Sequence, residues 1–242
     1  MTTDHNDRDR AFEAPDLIEV MEEAVRYNRF LIEALDAWGS AAGGPAAGGL
    51  LDFGAGNGRF CVALLERGYV MHAVEPDALL RGRIGERGVD ARESLESFDP
   101  DQRFDGIYTV NVLEHIEDDA GLLRAFCERL RPGGRLFVYV PAFQLLFSAN
   151  DRRVGHLRRY RLRGLVEAVT AAGFGIERAR YVDSLGFFAG LAYRFFGNAD
   201  GGLDVGAVRL YDRVVFPLSR VLDRGVSRWL GKNLLVSAVR PR

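Results

Sequence analysis

Residues 50–60 read Leu-Leu-Asp-Phe-Gly-Ala-Gly-Asn-Gly-Arg-Phe. A short apolar run reaches Asp52 and is followed by three alternating glycines, Gly54, Gly56 and Gly58. This pattern predicts a buried strand, a tight turn whose glycines lack Cβ atoms, and a helix whose N-terminus faces the turn. Glycine lets the backbone come into contact with a ligand, and free helix N–H groups attract its negative end. The segment therefore predicts a ligand-binding loop.

The spacing of the glycines and the next strand narrow the class of ligand. The loop reads G-x-G-x-G, whereas dinucleotide sites prefer G-x-G-x-x-G, and no Lys-Ser/Thr pair follows to hold phosphates. Residues 69–75 predict a second strand that ends in Glu75, about twenty residues after the glycines. A carboxylate at that position can accept hydrogen bonds from both ribose hydroxyls. An adenosyl ligand without a pyrophosphate is indicated, namely S-adenosylmethionine.

Further apolar segments alternate with helical patterns along the chain. This alternation predicts one α/β domain with a parallel sheet covered on both faces. A helix is expected over residues 162–172, ending at Gly173. The remaining strands are expected at residues 89–92, 104–110, 130–140, 174–183 and 233–240.

Four motifs occur in order: LDFGAGNG, VEPD, FDGIYTVNVLEHIEDD and LRPGGRLFVYVP. Together they closely resemble the class I S-adenosylmethionine-dependent methyltransferases, within them the subgroup that acts on small molecules and lipids, including quinone methyltransferases. The resemblance covers residues 25–183 and a last strand. It implies a Rossmann-like, seven-stranded, mostly parallel sheet with an antiparallel last strand. It also implies methyl transfer to an O, N or C atom of a small acceptor, with S-adenosylhomocysteine as product.

The glycine loop and the end of the second strand supply the first set of cofactor contacts. The glycines and Asn57 are expected to approach the methionine moiety, and Asp52 to orient the loop or the ammonium group. Glu75 is expected to hold the ribose, and Pro76 and Asp77 to border the adenine. The residues of this set are Asp52, Gly54, Gly56, Asn57, Gly58, Glu75, Pro76 and Asp77.

The resemblance adds four more cofactor contacts. Ser94 and Leu95 would lie beside the adenine ring, and Asn111 would help to hold the methionine portion. Tyr27, in the helix before the glycine loop, resembles a tyrosine that closes over the cofactor in related enzymes. A surface or core aromatic is an equally good interpretation of Tyr27.

Residues 150–163 carry six arginines and His156 directly after the fifth strand. In this fold that position leads to the carboxyl ends of the strands. His156 is a candidate general base, and Arg158 or Arg159 can grip a carboxylate or phosphate. Tyr160 is a candidate to line the methyl-transfer slot. Alternatively, the arginines are solvated or pair with acidic residues, and His156 fixes a loop.

The segment Leu-Glu-His-Ile offers His115 as a second candidate base. An equally good interpretation is that His115 supports the loop after the fourth strand. Glu114 and His115, with two nearby aspartates, also suggest a cation. Mg²⁺ requires several oxygen ligands from different loops, and the sequence marks no second set, so no metal is predicted.

Composition limits the broad class. The chain has 242 residues, a net charge of −2, 48% hydrophobic and 27% charged residues, which suits one well-buried domain. Residues 1–15 are expected to be a disordered acidic N-terminus. Residues 16–242 are expected to form a single domain, with a helical cap and a Gly/Ala-rich connector over 16–49 and a core over 50–183. No signal peptide is visible, and a cytoplasmic location is expected, with peripheral membrane contact left open.

Residues 184–232 separate the last two predicted strands, 174–183 and 233–240, where a short connection is usual in this fold. Its second half alternates apolar and charged residues at helical spacing, as one amphipathic helix or two broken at Pro217. A helical layer on the sheet, a homodimer interface, a lid over an apolar acceptor and a membrane-contact surface all stay open.

Two other classes of function stay open. The glycine loop also suits an enzyme that cleaves or cyclises S-adenosylmethionine, or a cofactor-binding regulatory protein. A nucleic-acid methyltransferase is disfavoured. Base-methylating relatives carry Asn/Asp-Pro-Pro-aromatic where this chain has Asn111-Val-Leu-Glu, and the negative net charge argues against nucleic acid as a partner.

Overall fold

The computed structural model describes residues 20–44, 48–196 and 204–242. The expected N-terminal segment 1–15 lies outside the described residues. Seven strands form one sheet: β1 (Leu50–Phe53), β2 (Met71–Val74), β3 (Asp90–Arg92), β4 (Phe104–Val110), β5 (Leu130–Pro141), β6 (Gly175–Val182) and β7 (Asn233–Val239).

The strand order is β3-β2-β1-β4-β5-β7-β6. Neighbouring strands from β3 to β5 are parallel, and β7 runs antiparallel to both β5 and β6. The predicted mostly parallel sheet with an antiparallel last strand is confirmed. Connections leave β1 and β4 in opposite directions, which opens a crevice at their carboxyl ends.

Nine α-helices are described, and they lie on both faces of the sheet or between its last strands. They are α1 (Val25–Ala41), α2 (Arg59–Leu65), α3 (Ala78–Glu86), α4 (Asp119–Arg129), α5 (Ala149–Arg153), α6 (Leu162–Ala171), α7 (Ser184–Phe196), α8 (Val205–Leu210) and α9 (Phe216–Val226). Of the helix predicted over residues 16–38, residues 20–22 are helical, residues 23–24 interrupt it, and α1 then runs from Val25 to Ala41.

The sheet is buried on both faces because its strands are apolar at nearly every position. Tyr108 and Phe137 lie fully inside between β4, β5 and α1, and Trp38 of α1 packs edge-on against Tyr108 and at a tilt against Phe137. Gly106 is required there, since a Cβ atom would lie 2.6 Å from the Trp38 ring. Cys61 and Cys127 are free thiols in α2 and α4.

The second half of the 184–232 segment is not broken at Pro217. A single π-turn, Tyr211–Val215, joins α8 to α9, and Pro217 lies in the first turn of α9. Proline is tolerated there because the π-turn directly before it accommodates both the ring and the missing N–H. The segment is therefore one continuous helical rod.

This rod packs on the domain through its polar side. Asp212, Ser219 and Asp223 are buried, with Phe216 between them. The apolar positions that amphipathic spacing would place inside are instead exposed: Leu210, Val214, Leu218, Val221 and Leu222.

No helix among the described residues is both long enough and apolar enough to span a bilayer.

Candidate functional site

The three glycines of the loop after β1 have different physical roles. All three have positive φ angles, of 79° at Gly54, 57° at Gly56 and 79° at Gly58. A Cβ atom on Gly54 would lie 2.4 Å from Val112, and one on Gly58 would lie 2.8 Å from Ile84. At Gly56 a Cβ atom would meet nothing within 4 Å. The outer glycines thus allow close packing, and the middle one presents bare backbone to open space.

Glu75 follows β2 and is held against the glycine loop. Its side chain is 4% exposed. Oε2 accepts a hydrogen bond from the Gly56 N–H at 2.7 Å, and Oε1 accepts one from the Asp77 N–H at 2.9 Å. Burial raises the pKa of this carboxyl, although both N–H donors oppose the shift. The carboxylate is therefore fixed beside the loop, with further lone pairs free for hydroxyl donors.

A cavity of about 470 Å³ opens at the carboxyl ends of the strands beside Glu75. Phe53 and Pro76 line it together with Ser94 and Leu95, which come after β3. Of the four residues predicted to border the adenine, the structure brings Pro76, Ser94 and Leu95 together there. Asp77 does not line the cavity: its side chain accepts from the Leu79 and Leu80 N–H groups and caps α3.

The arrangement fits an adenosyl group. Bare backbone at Gly56 and a fixed carboxylate at Glu75 suit its polar parts, and the mostly apolar cavity beside them suits its flat ring. Three acidic side chains, Glu93, Glu96 and Asp118, also line the cavity. When bound, S-adenosylmethionine would supply an electrophilic methyl group and leave as a neutral thioether.

Three non-glycine residues with left-handed backbone mark the carboxyl edge of the sheet. Asn111 after β4 has φ 54°, Phe143 after β5 has φ 58°, and Asp183 after β6 has φ 66°. Asparagine and aspartate tolerate this conformation, whereas phenylalanine is strained in it. Such strain persists where surrounding structure fixes it, and it concentrates at functional sites. This edge is therefore the candidate active site.

Tyr27 lies above this edge. Its ring packs edge-on against Tyr139 and Phe216, and its hydroxyl lies near the side chains of Tyr139 and Asn111. Burial raises the pKa of the Tyr27 hydroxyl well above its usual range. The structure thus brings Tyr27 and Asn111 together, as both predicted contacts require.

Two residues that were predicted to contact the cofactor, Asp52 and Asn57, have their side chains directed into the protein or towards the N-terminal cap. Asp52 is buried within β1, and its Oδ2 has no hydrogen-bond partner among the described residues. Burial raises the pKa of Asp52 to about 7, with a further contribution from Glu75. Asn57 faces the N-terminal cap, where its amide donates to Glu22 at 2.7 Å.

His156 is held by a buried carboxylate. Its Nδ1 lies 2.7 Å from Asp151 Oδ1, and Arg159 donates to both Asp151 oxygens at 2.8 and 2.9 Å. Burial alone would raise the pKa of Asp151, but the bonds from His156 and Arg159 hold it well below its usual range. An ionised Asp151 fixes the proton on Nδ1 and leaves Nε2 as an acceptor.

The Nε2 atom of His156 faces Glu114 and His115. Glu114 Oε1 lies 3.6 Å from Nε2, and the two imidazole rings meet edge-on at 4.7 Å. Burial raises the pKa of Glu114 to about 8, and burial with the nearby His156 lowers that of His115 to about 4. At neutral pH, Glu114 is therefore mostly a neutral acid and His115 a neutral ring.

The Glu114 carboxyl makes stability fall as pH rises. The folded protein keeps a proton on Glu114 up to about pH 8, whereas the unfolded chain releases it near about 4.3. This contribution is full below the unfolded pKa and is lost as pH rises to the folded one. We expect Glu114→Gln to flatten this slope in urea unfolding between about pH 5 and about pH 9, whereas exposed Glu117→Gln should leave it unchanged. Equal slopes in wild type and Glu114→Gln would contradict the prediction.

Two predicted substrate-binding arginines are already paired. Arg159 is the buried partner of Asp151, and its side chain is only 9% exposed. Arg158 pairs with Asp119 at 3.0 Å and donates to the Glu117 carbonyl. The prediction that Arg159 grips an acceptor is therefore corrected, because its guanidinium is buried against the Asp151 carboxylate. The Arg158 side chain is one third exposed beside Asp119, and its predicted contact with an acceptor stays a prediction.

Tyr160 packs in the core and links two loops of the protein. Its ring is buried in the core, and its hydroxyl donates to Asp119 Oδ2 at 2.7 Å, within reach of the Leu113 carbonyl. These bonds tie the segment after β5 to the loop after β4. The predicted placement of Tyr160 in the methyl-transfer slot is therefore corrected.

One group of potential metal ligands occurs within residues 20–44, 48–196 and 204–242. Glu114, His115 and His156 each offer a ligand atom, and these atoms lie within 4.8 Å of one another. The expectation of a metal-free site thus stays a prediction.

Several site residues carried little signal in the sequence. Glu114 and Asp151 are in the quoted motifs, but only folding shows that they flank His156. Asp183 accepts bonds from the Tyr211 hydroxyl at 2.7 and 2.8 Å. Lys232, the sole lysine of the chain, lies near Asp183 and Asp151, and burial lowers its pKa. No motif marked either residue.

Comparison with known proteins gives matching sequences and folds. A ubiquinone biosynthesis O-methyltransferase of Aeromonas salmonicida is 33% identical over 107 residues, which are 40% of this chain and 44% of that protein. The chain therefore matches less than half of that relative's length. The [4+2]-cyclase SpnF has a TM-score of 0.58 at 20% identity, covering 87% of this chain and 80% of its own.

Geranyl diphosphate C-methyltransferase of Streptomyces coelicolor has a TM-score of 0.58 at 15% identity, covering 84% of this chain and 73% of its own. Strand order, glycine loop and carboxyl-edge crevice thus define the class I methyltransferase fold. The family profile described as a methyltransferase domain matches residues 26–179, and the chain belongs to this family. The predicted family is confirmed.

Proposed function

We propose that this protein transfers the methyl group of S-adenosylmethionine to a small, lipid-like acceptor in a biosynthetic pathway. The observation that carries the proposal is the constellation at the edge of β1 and β2. Open backbone at Gly56, the fixed Glu75 carboxylate and the adjoining 470 Å³ cavity offer one place for each part of the cofactor. Placement and orientation of the acceptor supply most of the rate enhancement in such a reaction.

The acceptor site is proposed at the ends of β4, β5 and β6. His156 Nε2 is the candidate base that takes the acceptor's proton as the methyl group is transferred. Asp151 holds the opposite ring nitrogen, in the same relation as the carboxylate and histidine of hydrolytic triads. Lys232 lies close to this cluster, so it replaces the buried Arg159 as a cation for an anionic acceptor.

Calorimetric titration with S-adenosylmethionine and S-adenosylhomocysteine, with NAD as control, is the first test. We expect both adenosyl compounds to bind at micromolar concentration and NAD not to bind. Absence of binding by both compounds would contradict the proposal. Incubation with S-adenosylmethionine alone then separates the other classes, since a lyase or cyclase turns it over without an acceptor and a regulatory protein never does.

Replacing His156 with alanine should lower turnover while leaving S-adenosylhomocysteine binding unchanged. Loss of a positioned base typically costs about 10²–10⁴ in rate. With an acceptor found by screening, we expect this loss in kcat, with partial recovery on addition of imidazole. Exposed Arg152→Ala, in the same segment, is the control. A kcat within about threefold of wild type in His156→Ala would remove His156 from the mechanism.

A further inference from the structure

The rod formed by α8, the π-turn and α9 has an apolar face that points away from the domain. We name its members Leu210, Val214, Leu218, Val221 and Leu222 the outer apolar face. Leu218 is 57% exposed and Val221 59% exposed. The spacing of three and four residues places them on one side of a helix. A soluble helix normally turns such a side inward, so this arrangement needs a physical cause.

The cause is that the polar side of the rod caps two other helices. Asp212 accepts hydrogen bonds from the Arg26 and Tyr27 N–H groups at 2.9 and 2.8 Å, at the N-terminus of α1. Helix α1 has no side-chain cap of its own. A buried carboxylate at a helix N-terminus is stabilising, because it satisfies free N–H groups and complements the helix dipole.

The second cap lies about three turns further along the rod. Asp223 accepts from the Asp183 and Ser184 N–H groups at 2.9 Å each, at the start of α7. Ser219 accepts from the Leu185 N–H at 2.9 Å. These bonds fix the rotation of the rod. Turning the outer apolar face inward would leave two buried carboxylates and several N–H groups without partners, at a large cost.

The exposed charges on the rod between residues 205 and 230 have one sign, and Arg209 among them pairs with Glu23 at 2.8 Å. Between residues 205 and 230 every charged side chain that is exposed belongs to an arginine: Arg209, Arg213, Arg224 and Arg228. Both acidic residues of this stretch are buried. Exposed aromatic rings lie nearby at Phe188 and Phe195 of α7, which packs on α9, and at Trp229 after α9.

We propose that the outer apolar face docks on an anionic membrane surface. Its leucines and valines would enter the boundary between headgroups and acyl chains, and the arginines would contact lipid phosphates. An arginine-flanked apolar stripe with aromatic neighbours is the pattern of helices that lie in the plane of a membrane. A twofold contact between two copies would instead place arginines against arginines with no exposed acid on this stretch to pair with them.

The rod also joins the edge of the sheet that carries the site. Helix α7 starts directly after β6, and α9 leads back to β7 at the same edge. Docking through the outer apolar face would therefore bring this edge towards the lipid. The inference goes beyond the proposed methyl transfer and is tested without turnover.

The test is co-sedimentation of the full-length protein with vesicles of phosphatidylcholine alone or with roughly one third phosphatidylglycerol. We expect binding to the anionic vesicles, weakened by salt. Leu218→Gln combined with Leu222→Gln should weaken it by at least about tenfold. Arg213→Gln combined with Arg224→Gln should remove the preference for phosphatidylglycerol. Val70→Gln, at an exposed apolar residue before β2, is the matched control and should bind as wild type.

Each variant is also checked for thermal stability and S-adenosylhomocysteine binding, which the exposed substitutions should leave unchanged. Absence of binding to the anionic vesicles, or undiminished binding by the double leucine variant, would overturn the proposal. So would a stable dimer in light scattering that dissociates in the same variant, since the face would then be an interface between copies. Failure of cofactor binding with normal vesicle binding would contradict only the proposed function.

Discussion

Glu75→Ala should abolish measurable binding of S-adenosylhomocysteine while the protein stays folded. Glu75 offers two carboxylate oxygens at the edge of the cavity and holds the Gly56 and Asp77 N–H groups. Hydrogen bonds to a charged group are worth about 1.5–3 kcal/mol each. Loss of two such bonds to a ligand, together with loss of the anchored loop, predicts an affinity at least about 100-fold lower. Calorimetry measures it directly.

Two further variants test whether the loss of affinity comes from the carboxylate of Glu75 itself, and not from a change in side-chain size or in surface charge. Glu75→Gln keeps one acceptor oxygen and should give an intermediate loss of affinity. Glu86→Ala, at an exposed residue in α3, should bind as wild type. If Glu75→Ala bound S-adenosylhomocysteine within about threefold of wild type, the ribose contact would have to lie elsewhere.

Asp151→Ala should destabilise the protein by about 3–5 kcal/mol, the usual consequence of removing one partner of a buried ion pair. Asp151 is fully buried and accepts bonds from His156, from Arg159 and from both the N–H and the hydroxyl of Ser148. Its removal leaves the Arg159 guanidinium buried without a counter-charge. Urea unfolding at neutral pH measures the loss, with exposed Asp101→Asn as control.

Combining Asp151→Ala with Arg159→Met should recover part of that stability, since no buried charge is then left unpaired. The pKa of Asp151 is depressed, so its contribution is present above the unfolded value of about 3.9 and is lost as pH falls below it. The single variant should therefore lose less stability than wild type on acidification. If the losses of stability from Asp151→Ala and Arg159→Met were simply additive, Asp151 and Arg159 would not be coupled as a buried ion pair.

Most of the fold follows from local sequence patterns. Each strand of the parallel part is a short apolar run that ends next to a glycine or an acidic residue. The positions of these strands along the chain could therefore be predicted. The last two strands, Gly175–Val182 and Asn233–Val239, were also found, although a long segment separates them. The break before α1 was not predicted, because the N–H groups of Arg26 and Tyr27 are capped by Asp212, and so distant a partner leaves no local signal.

The cofactor side of the site was easier to predict than the acceptor side. Glycine spacing and a strand-ending acid reflect contacts within a single β-α-β unit, and Ser94 and Leu95 do lie at the cavity. On the acceptor side, arginines and a tyrosine near His156 suggested ligand contacts. Their real partners are Asp151 and Asp119, and only folding shows which charges are already paired.

The sequence by itself determined the parallel sheet, the ligand loop and the methyltransferase family, since each depends on residues that are neighbours along the chain. The tertiary structure alone decided which groups around His156 are charged and which side of the α8–α9 rod faces solvent. Both depend on burial and on partners distant in sequence. The apolar periodicity of residues 210–222 is compatible with either orientation. Two carboxylates that cap distant helices turn it outward.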